Sequence, residues 1–327
     1  MQLILGRRDV AALLDLDTCI AAVERAFRLH GEGRAAAPAV ASVPVPGGGF
    51  HVKAGALDLG ARYFAAKTNA NLPENPGRHG LPTIQGVIVL CDAERGTPLA
   101  VMDSMEITVL RTAAATAVAA RYLARPDASV AAVVGCGAQG RAQLRALSRV
   151  RRLRRALVYD VRPEAARQMA DTLGPELGIP VTVSPDIAGA TDAADLIVTC
   201  TPSREFLLGP AAVRPGAFVA GVGVDAEHKR ELEPALLAAG AVVVDVLDQC
   251  AAFGDLRHAL AAGLMTRESV RAELGQVVAG RAPGRTGPDE IVIFDSTGMA
   301  LQDVAAAAAV YERAVERNMG TRIAISD

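Results

Sequence analysis

The chain has 327 residues, which is long enough for two domains, and 51% of them are hydrophobic. Its formal net charge of −2 argues against a nucleic-acid partner, and no apolar run is long enough to span a membrane. The five cysteines include no Cys-X-X-Cys pair and the five histidines lack metal-ligand spacing. We therefore expect a cytoplasmic protein with reduced thiols and without a metal site.

The first third of the chain predicts helices followed by a sheet. A short apolar strand at 3–5 precedes two helices, for which Asp9 and Asp17 are candidate N-caps. From 38 to 90, short alternating segments are broken by Pro and Gly, which predicts an antiparallel sheet. An alanine-rich helix, TVLRTAAATAVAARYL, follows at 108–123.

The strongest local signal is the segment that follows this helix. An apolar run at 130–134 is typical of a strand buried on both faces, and it ends in GCGAQG, a GxGxxG sequence that leads into a helix. Gly135 would form the tight turn, Gly137 would admit a pyrophosphate, and Gly140 would let the helix pack closely on the strand. The helix N-terminus, with Ala138 and Gln139, would face the phosphates.

The segments beyond the glycines predict the rest of a dinucleotide-binding domain. A second strand, 156–159, ends in Asp160, whose carboxylate would bind the ribose hydroxyls of NAD. Arg162 could instead accommodate the 2′-phosphate of NADP, but we predict NAD because the carboxylate repels that phosphate. Later strands at 181–183, 196–200, 217–221, 241–246 and 290–295 alternate with helices, as in a doubly wound parallel sheet. The alternative is a glycine-rich surface turn, which would not require a strand before the glycines, a helix after them and an acid at the end of the next strand.

Several further segments resemble the ornithine cyclodeaminase/μ-crystallin family, which includes ornithine and lysine cyclodeaminases, alanine dehydrogenases and ketimine reductases. The matching segments are Lys67 before a Pro/Asn loop, LPTIQGVIVLCDAERGTPLAVMDSMEITVLRTAAATAVAARYLARPDA, VVGCGAQGRAQ, YD, TCTPS, GVGVDAEHKREL and FDSTGMALQDVAAA. The resemblance covers about residues 3–309. It implies an α/β homodimer in which a Rossmann domain is inserted into an α+β substrate and dimerisation domain with a mainly antiparallel sheet.

We therefore divide the chain into three predicted parts. Residues 1–123 would form the first part of the substrate-binding and dimerisation domain, and residues 124–297 the NAD-binding domain. Residues 298–327 would form a final helix and a tail that return to the first domain.

The resemblance also implies a reaction and a set of residues. The substrate would be a small L-amino acid or its imine, oxidised or reduced at the Cα–N bond by hydride transfer. Lys67 and Arg111 match cations that bind the α-carboxylate, and Thr83 resembles a residue of the substrate pocket. Asp225 matches the acid–base aspartate, and Lys67 is a second catalytic candidate. The alternatives are a solvated lysine, a structural ion pair for Arg111, and an N-cap for Asp225 at a helix over 229–238.

Three further residues resemble cofactor-contacting positions of the family. Lys229 matches a cofactor-contacting lysine, and Thr201 and Ser296 follow predicted strands of the dinucleotide-binding domain. The alternative for Thr201 and Ser296 is that each caps a turn.

One segment departs from the family pattern. Cyclodeaminase-like members carry an arginine after a proline, where this chain has Ala39. Because alternate residues of a strand share a face, His51 and Lys53 could point together into the site, and we hypothesise that Lys53 substitutes for the missing arginine. The alternative is a solvent-facing edge strand. The departure weakens the expectation of ornithine cyclisation more than that of hydride chemistry.

Two classes of function follow. The first is an NAD-dependent enzyme, either a cyclodeaminase that regenerates its NAD or a dehydrogenase or imine reductase that consumes the cofactor. The second is a non-catalytic, μ-crystallin-like protein that binds a nucleotide or small ligand on the same fold. The presence of Lys67, Arg111 and Asp225 together favours the enzyme.

Overall fold

A computed structural model describes residues 1–324. The chain forms two compact units, which we call unit 1 (Met1–Arg111 with Met299–Asp327) and unit 2 (Thr112–Gly298). The first division falls inside a helix, whereas the sequence prediction placed a domain boundary at the end of that helix. A helix with no break in its apolar pattern gives no local sign of such a division.

The described residues form strands and helices in the following order. The strands are β1 (Gln2–Leu5), β2 (Ala39–Val45), β3 (Gly48–Asp58), β4 (Arg62–Asn71), β5 (Ile84–Asp92), β6 (Pro98–Asp103), β7 (Val130–Val134), β8 (Arg155–Tyr159), β9 (Val181–Val183), β10 (Leu196–Thr199), β11 (Phe218–Gly221), β12 (Ala241–Val244), β13 (Ala272–Glu273), β14 (Val292–Asp295) and β15 (Thr321–Ile323). The helices are α1 (Arg7–Leu13), α2 (Leu16–Gly31), α3 (Asn75–His79), α4 (Met105–Leu123), α5 (Ala138–Val150), α6 (Pro163–Leu177), α7 (Ile187–Thr191), α8 (Pro234–Ala239), α9 (Leu247–Phe253), α10 (Asp255–Ala261), α11 (Leu274–Val278) and α12 (Ala300–Glu316).

Unit 1 is built on a seven-stranded sheet in the order β15-β1-β6-β5-β4-β3-β2. The pair β1–β6 is parallel and the other pairs are antiparallel, so the predicted mainly antiparallel sheet is confirmed. Helix α12 packs on β3 and β4, and α2 packs on α12. A Cβ at Gly55 of β3 would lie 2.9 Å from Leu301 Cδ2, so glycine permits the close approach of helix and sheet.

The N-caps of the first two helices differ from the prediction. Asp15, not Asp17, caps α2, because its carboxylate accepts the backbone N–H of Thr18 at 2.8 Å. Asp9 lies in the first turn of α1 and accepts the backbone N–H of Gly6 at 2.9 Å, so it supports the cap without being the cap residue.

Unit 2 is built on an eight-stranded sheet in the order β13-β12-β14-β11-β10-β7-β8-β9, and every adjacent pair is parallel. The strand order reverses beside β7, so the turn after β7 lies at the switch point where such sheets bind ligands. The predicted doubly wound Rossmann sheet is confirmed. No helix among residues 1–324 is both long and apolar enough to cross a membrane.

Candidate active site

In unit 1 two of the candidate substrate-binding residues, Lys53 and Lys67, lie on the sheet face that α12 covers. The register places Lys53 of β3 directly opposite Lys67 of β4, and both lysines are buried. The alternative of a solvent-facing edge strand is therefore wrong for Lys53, because β2 forms the edge and β3 lies inside the sheet.

A carboxylate from the last helix lies against Lys67. The Nζ atom of Lys67 is 2.8 Å from each carboxylate oxygen of Asp303, and Arg111 Nε is 3.2 Å from Asp303 Oδ1. Arg111 Nη1 also donates to Gln302 Oε1 at 3.1 Å. The two cations that the sequence assigned to one role thus share a buried carboxylate. We call Lys53, Lys67, Arg111 and Asp303 the cation cluster.

Burial and like charges change the acidity of the cluster. Desolvation first, and then the positive charges of Arg111 and Lys53, lower the pKa of Lys67 to about 7, although Asp303 opposes the shift. Burial would raise the pKa of Asp303, but Lys67 and Arg111 outweigh that effect and hold it below its usual range. Lys67 can therefore exchange a proton near neutral pH, whereas Asp303 stays ionised.

The next pair on the same sheet face is polar. His51 lies opposite Asn69, and its Nδ1 atom is 3.0 Å from the hydroxyl of Ser42 on β2. The side chain of Asn69 is used structurally, because it accepts from Ser104 Oγ at 2.6 Å and donates to Thr108 Oγ1 at 3.3 Å. His51 and Lys53 do share a face, as the alternation along the strand predicted.

The structure does not bring Ala39 or Thr83 into the cation cluster. Ala39 pairs with Ala54, and both face the side of the sheet opposite to Lys53. Lys53 therefore reaches the cluster from its own strand position and does not occupy the place that a side chain at position 39 would take. The residue of β5 that lies opposite Lys67 is Ile88. Thr83 lies before the start of β5, and its carbonyl accepts the N–H of Leu72.

In unit 2 the glycine-rich turn has the geometry that its sequence predicts. Gly135, in the turn between β7 and α5, has φ +102°, and its N–H donates to Tyr159 O at 2.8 Å, which continues the pairing of β7 with β8. A Cβ at Gly140 would lie 1.9 Å from Gly135 O, so only glycine lets α5 start this close to β7. A Cβ at Gly137 would meet nothing within 4 Å. Gly137 is also the N-cap of α5, so this open position adjoins the first amides of the helix.

Asp160 lies beside this turn at the end of β8. Its carboxylate accepts the N–H of Cys136 at 2.8 Å and that of Arg162 at 2.9 Å, so the side chain is fixed relative to the glycines. Arg162 Nε is 3.5 Å from the same carboxylate and its side chain is 71% exposed. The carboxylate therefore contacts the turn directly, whereas the guanidinium is largely exposed to solvent.

The loops after β10 and β11 are held by a buried glutamate to which the sequence assigned no role in the site. Glu231 accepts the N–H and the hydroxyl of Thr201 at 2.5 and 2.7 Å, and it accepts the N–H of Gly223 at 2.9 Å. Thr199 Oγ1 donates to the same carboxylate at 2.8 Å. Burial raises the pKa of Glu231 despite these donors. The hydroxyl of Thr201 is therefore oriented by Glu231.

Asp225 and Lys229 lie together in the loop after β11. Lys229 Nζ is 2.7 Å from Asp225 Oδ1 and 3.4 Å from Gly223 O. The predicted helix over 229–238 is wrong, because α8 begins at Pro234 with Glu233 as its N-cap. Residues 229–233 instead continue as loop and carry Glu231 into the interior. Asp225 is thus not a helix cap, which removes the structural alternative for it.

Ser296 follows β14 and is anchored by another buried carboxylate. Asp245 accepts the Ser296 hydroxyl at 3.0 Å, the Thr297 hydroxyl at 3.2 Å and the N–H of Gly298 at 2.6 Å. Within the described residues no group of His, Cys, Asp and Glu side chains could hold a metal ion.

Asp303, Glu231 and Asp245 were not predicted from the sequence as parts of the two sites. Asp303 is the single acid in the buried stretch 300–308 of α12, and a lone charge in such a stretch is a signal that could have been followed. Glu231 and Asp245 carry no comparable signal, because each serves loops that lie elsewhere in the chain.

The protein is similar to known proteins in both sequence and fold. The pattern of the Ornithine cyclodeaminase/mu-crystallin family matches residues 1–318. The alanine dehydrogenase of Archaeoglobus fulgidus is 39% identical over 321 residues, which cover 98% of both chains. A solved archaeal alanine dehydrogenase, a dimer with bound NAD, has a TM-score of 0.95 and 38% identity over 99% of both chains. The iminosuccinate reductase of Paracoccus denitrificans, solved with NAD+, has a TM-score of 0.91 and 32% identity over 99% of both chains.

These matches extend over nearly the whole chain and include both units. They agree with the resemblance that the local motifs indicated, from the glycine-rich turn to the final helix. The chain belongs to the ornithine cyclodeaminase/mu-crystallin family.

Proposed function

We propose that this protein is an NAD-dependent oxidoreductase that acts on the Cα–N bond of a small L-amino acid or its imine. The observation that carries the proposal is the buried cation cluster, in which Lys67 and Arg111 converge on Asp303. An excess of buried positive charge is costly unless a bound anion balances it. A lysine and an arginine that lie together are suited to bind a carboxylate.

The residues of unit 2 fit a dinucleotide. The open turn at Gly137 and the amides of Ala138 and Gln139 would hold the pyrophosphate, while Asp160 would accept the ribose hydroxyls. Thr201, Lys229 and Ser296 would line the rest of the cofactor site. NAD, when bound, supplies the hydride acceptor of the oxidation, and its reduced form supplies the hydride of the reduction. The two related solved structures hold NAD or NAD+, which supports NAD over NADP.

The chain's own residues would bind and protonate the substrate. Arg111 and Lys67 would hold the α-carboxylate, and Asp303 would keep both cations in place. Lys67 has a pKa of about 7, so it can also give or take a proton at the substrate nitrogen. Asp225, with Lys229 2.7 Å away to hold its carboxylate in place, is the candidate acid–base for the amine or for the attacking water.

Net dehydrogenation or imine reduction is favoured over cyclodeamination. A cyclodeaminase substrate carries a second amine, and the cation cluster repels an additional ammonium group. The names of two related proteins, an alanine dehydrogenase and an iminosuccinate reductase, point to the same reaction class.

The test is an assay of NADH formation and product mass with NAD and a panel of L-amino acids, and of NADH oxidation with 2-oxoacids and ammonia. We expect net NADH turnover with at least one pair. Asp225→Asn should lower kcat by roughly 100- to 10,000-fold, in the range of general acid–base catalysis, and leave NAD binding intact. Glu227→Asn in the same exposed loop is the matched control. NAD binding without turnover of any substrate would favour the non-catalytic alternative.

We further propose a homodimer that forms on the outer face of the unit 1 sheet. The register places apolar side chains on this face, and several are exposed: Val43 (55%), Phe50 (40%), Phe64 (37%) and Val87 (46%). Exposed apolar patches of this kind mark interfaces, and a related solved structure is described as a dimer. Val87→Glu should shift the mass in analytical ultracentrifugation toward the monomer.

A cytoplasmic location is also proposed. All five cysteines lie within the described residues and are free thiols, which fits a reducing compartment.

A further inference from the structure

The pairing of Lys53 with Lys67 is unusual for a sheet. The two lysines face each other directly across β3 and β4, and their exposed fractions are only 8% and 3%. Like charges in directly opposite positions destabilise a sheet, and burial increases the cost. Packing alone therefore does not explain why two lysines occupy this pair.

Two of the charged groups come from the sheet, Lys53 and Lys67, and two come from helices, Arg111 of α4 and Asp303 of α12. Asp303 lies between Arg111 and Lys67, and Lys53 lies beyond Lys67 on the neighbouring strand. Counted over the described part of unit 1, the charged side chains that are buried comprise three cations and one carboxylate: Lys53, Lys67, Arg111 and Asp303. The positive charge is thus extended over two strands instead of being concentrated at one point.

The surroundings of Lys53 are also suited to a polar ligand. His51 follows on the same face, two residues along β3, and the Ser42 hydroxyl lies against its ring. A His side chain can donate a hydrogen bond to a carboxylate in either of its charge states. Asn69, opposite His51, is already engaged with Ser104 and Thr108.

We infer that the substrate carries two carboxylates, as a short dicarboxylic amino acid or imino acid does. Lys67 and Arg111 take the α-carboxylate, and Lys53, with His51 beside it, takes the carboxylate of the side chain. This inference rests on the proposed function and names the substrate class of that same site. Lys53 is then a specificity-determining residue.

Other side chains match the cluster less well. The ammonium group of an ornithine or lysine side chain would lie beside Lys53 and be repelled. A methyl side chain, as in alanine, offers no anion to the charge of Lys53.

The first test measures ligand binding without turnover. Succinate and propanoate, which differ by one carboxylate, are titrated into the NAD-loaded full-length protein by calorimetry at equal ionic strength and pH 7.5. We expect succinate to bind at least 10-fold more tightly than propanoate. In Lys53→Met this ratio should fall to about 1, whereas Lys53→Arg, which keeps the charge, should retain most of it.

Arg62→Met is the matched control, because Arg62 is an exposed cation of β4 that pairs with Asp58 and Glu94. It should leave the succinate-to-propanoate ratio unchanged. Far-UV circular dichroism and NAD affinity establish that each variant is folded. A wild-type ratio near 1, or a ratio that survives in Lys53→Met, overturns the inference.

The second test uses turnover and separates this inference from the proposed function. NADH oxidation is followed with ammonia and either oxaloacetate or pyruvate, with ammonia-free reactions as blanks. We expect kcat/KM to be at least 10-fold higher for oxaloacetate. Turnover of pyruvate but not oxaloacetate supports the proposed function and overturns the dicarboxylate. A retained succinate preference without turnover of any substrate supports the ligand class and refutes the reaction.

Discussion

Lys67 allows a quantitative test of the buried cluster. Its pKa of about 7 lies well below the 10.5 of an exposed lysine, because burial and the neighbouring cations disfavour the charged form. Below pH 7 the folded and unfolded states are both protonated, so the folded state carries the full cost of the buried charge. Between pH 7 and 10.5 the unfolded state binds more protons than the folded state, so this cost falls as the pH rises.

The magnitude follows from proton linkage. Each pKa unit corresponds to about 1.4 kcal/mol, so the two pKa values give a penalty of about 4 kcal/mol at pH 7 and about 2 kcal/mol at pH 9. Lys67→Met removes this titration. The difference in unfolding free energy between the wild type and Lys67→Met should therefore change by about 2 kcal/mol in favour of the wild type between pH 7 and pH 9.

The assay is urea unfolding of both proteins at pH 7, 8 and 9. Far-UV circular dichroism is the suitable probe, because the chain contains no tryptophan. Taking the difference between the two proteins removes the contributions of other groups, such as Cys19, whose pKa burial raises to about 12. A difference that stays constant from pH 7 to pH 9 would show that Lys67 remains protonated and that Asp303 outweighs the cost of burial.

Three further predictions concern unit 2. Gly140→Ala should lower the Tm by several degrees and abolish NAD binding, because the added Cβ would lie 1.9 Å from Gly135 O. Gly137→Ala should keep the Tm and weaken only NAD binding, because its Cβ would meet nothing within 4 Å. Equal losses of Tm in the two variants would contradict this prediction. Glu231→Gln should cost about 1–3 kcal/mol in urea unfolding because one of its buried donors loses an acceptor, whereas the exposed Glu233→Gln should cost nothing measurable. Asp160→Ala should weaken NADH binding by at least 10-fold in a titration that follows the fluorescence of the reduced nicotinamide, and an unchanged affinity would remove Asp160 from the cofactor site.

The local features of unit 2 were largely predictable. A glycine-rich turn works through backbone conformation and the absence of a Cβ, and both are properties of adjacent residues. The strand, turn, helix and acid that surround it lie within about thirty residues, as in other dinucleotide-binding units. The helix expected over 229–238 was wrong because Pro234 starts the helix later and Glu231 is drawn inward to serve the loops after β10 and β11.

The sequence predicted three of the four residues of the cation cluster. Lys67 and Arg111 were found because their segments resemble those of the family, and Lys53 because alternate residues of a strand share a face. Asp303 lies 236 positions from Lys67, and no spacing rule relates them. The register of β3 and β4, which makes Lys53 the direct neighbour of Lys67, is set by the packing of the whole sheet.

The two kinds of sheet and the turn that would hold a dinucleotide could be derived from the sequence, because they depend on periodicity and on short-range backbone geometry. The family was identified from the resemblance of its sequence motifs. Which charges meet depends on the tertiary structure: Asp303 lies between Lys67 and Arg111, two lysines face each other, and Glu231 and Asp245 anchor the loops. Buried charges interact strongly over a few ångström in a low-dielectric interior, and distance in space is a quantity that a linear pattern does not contain.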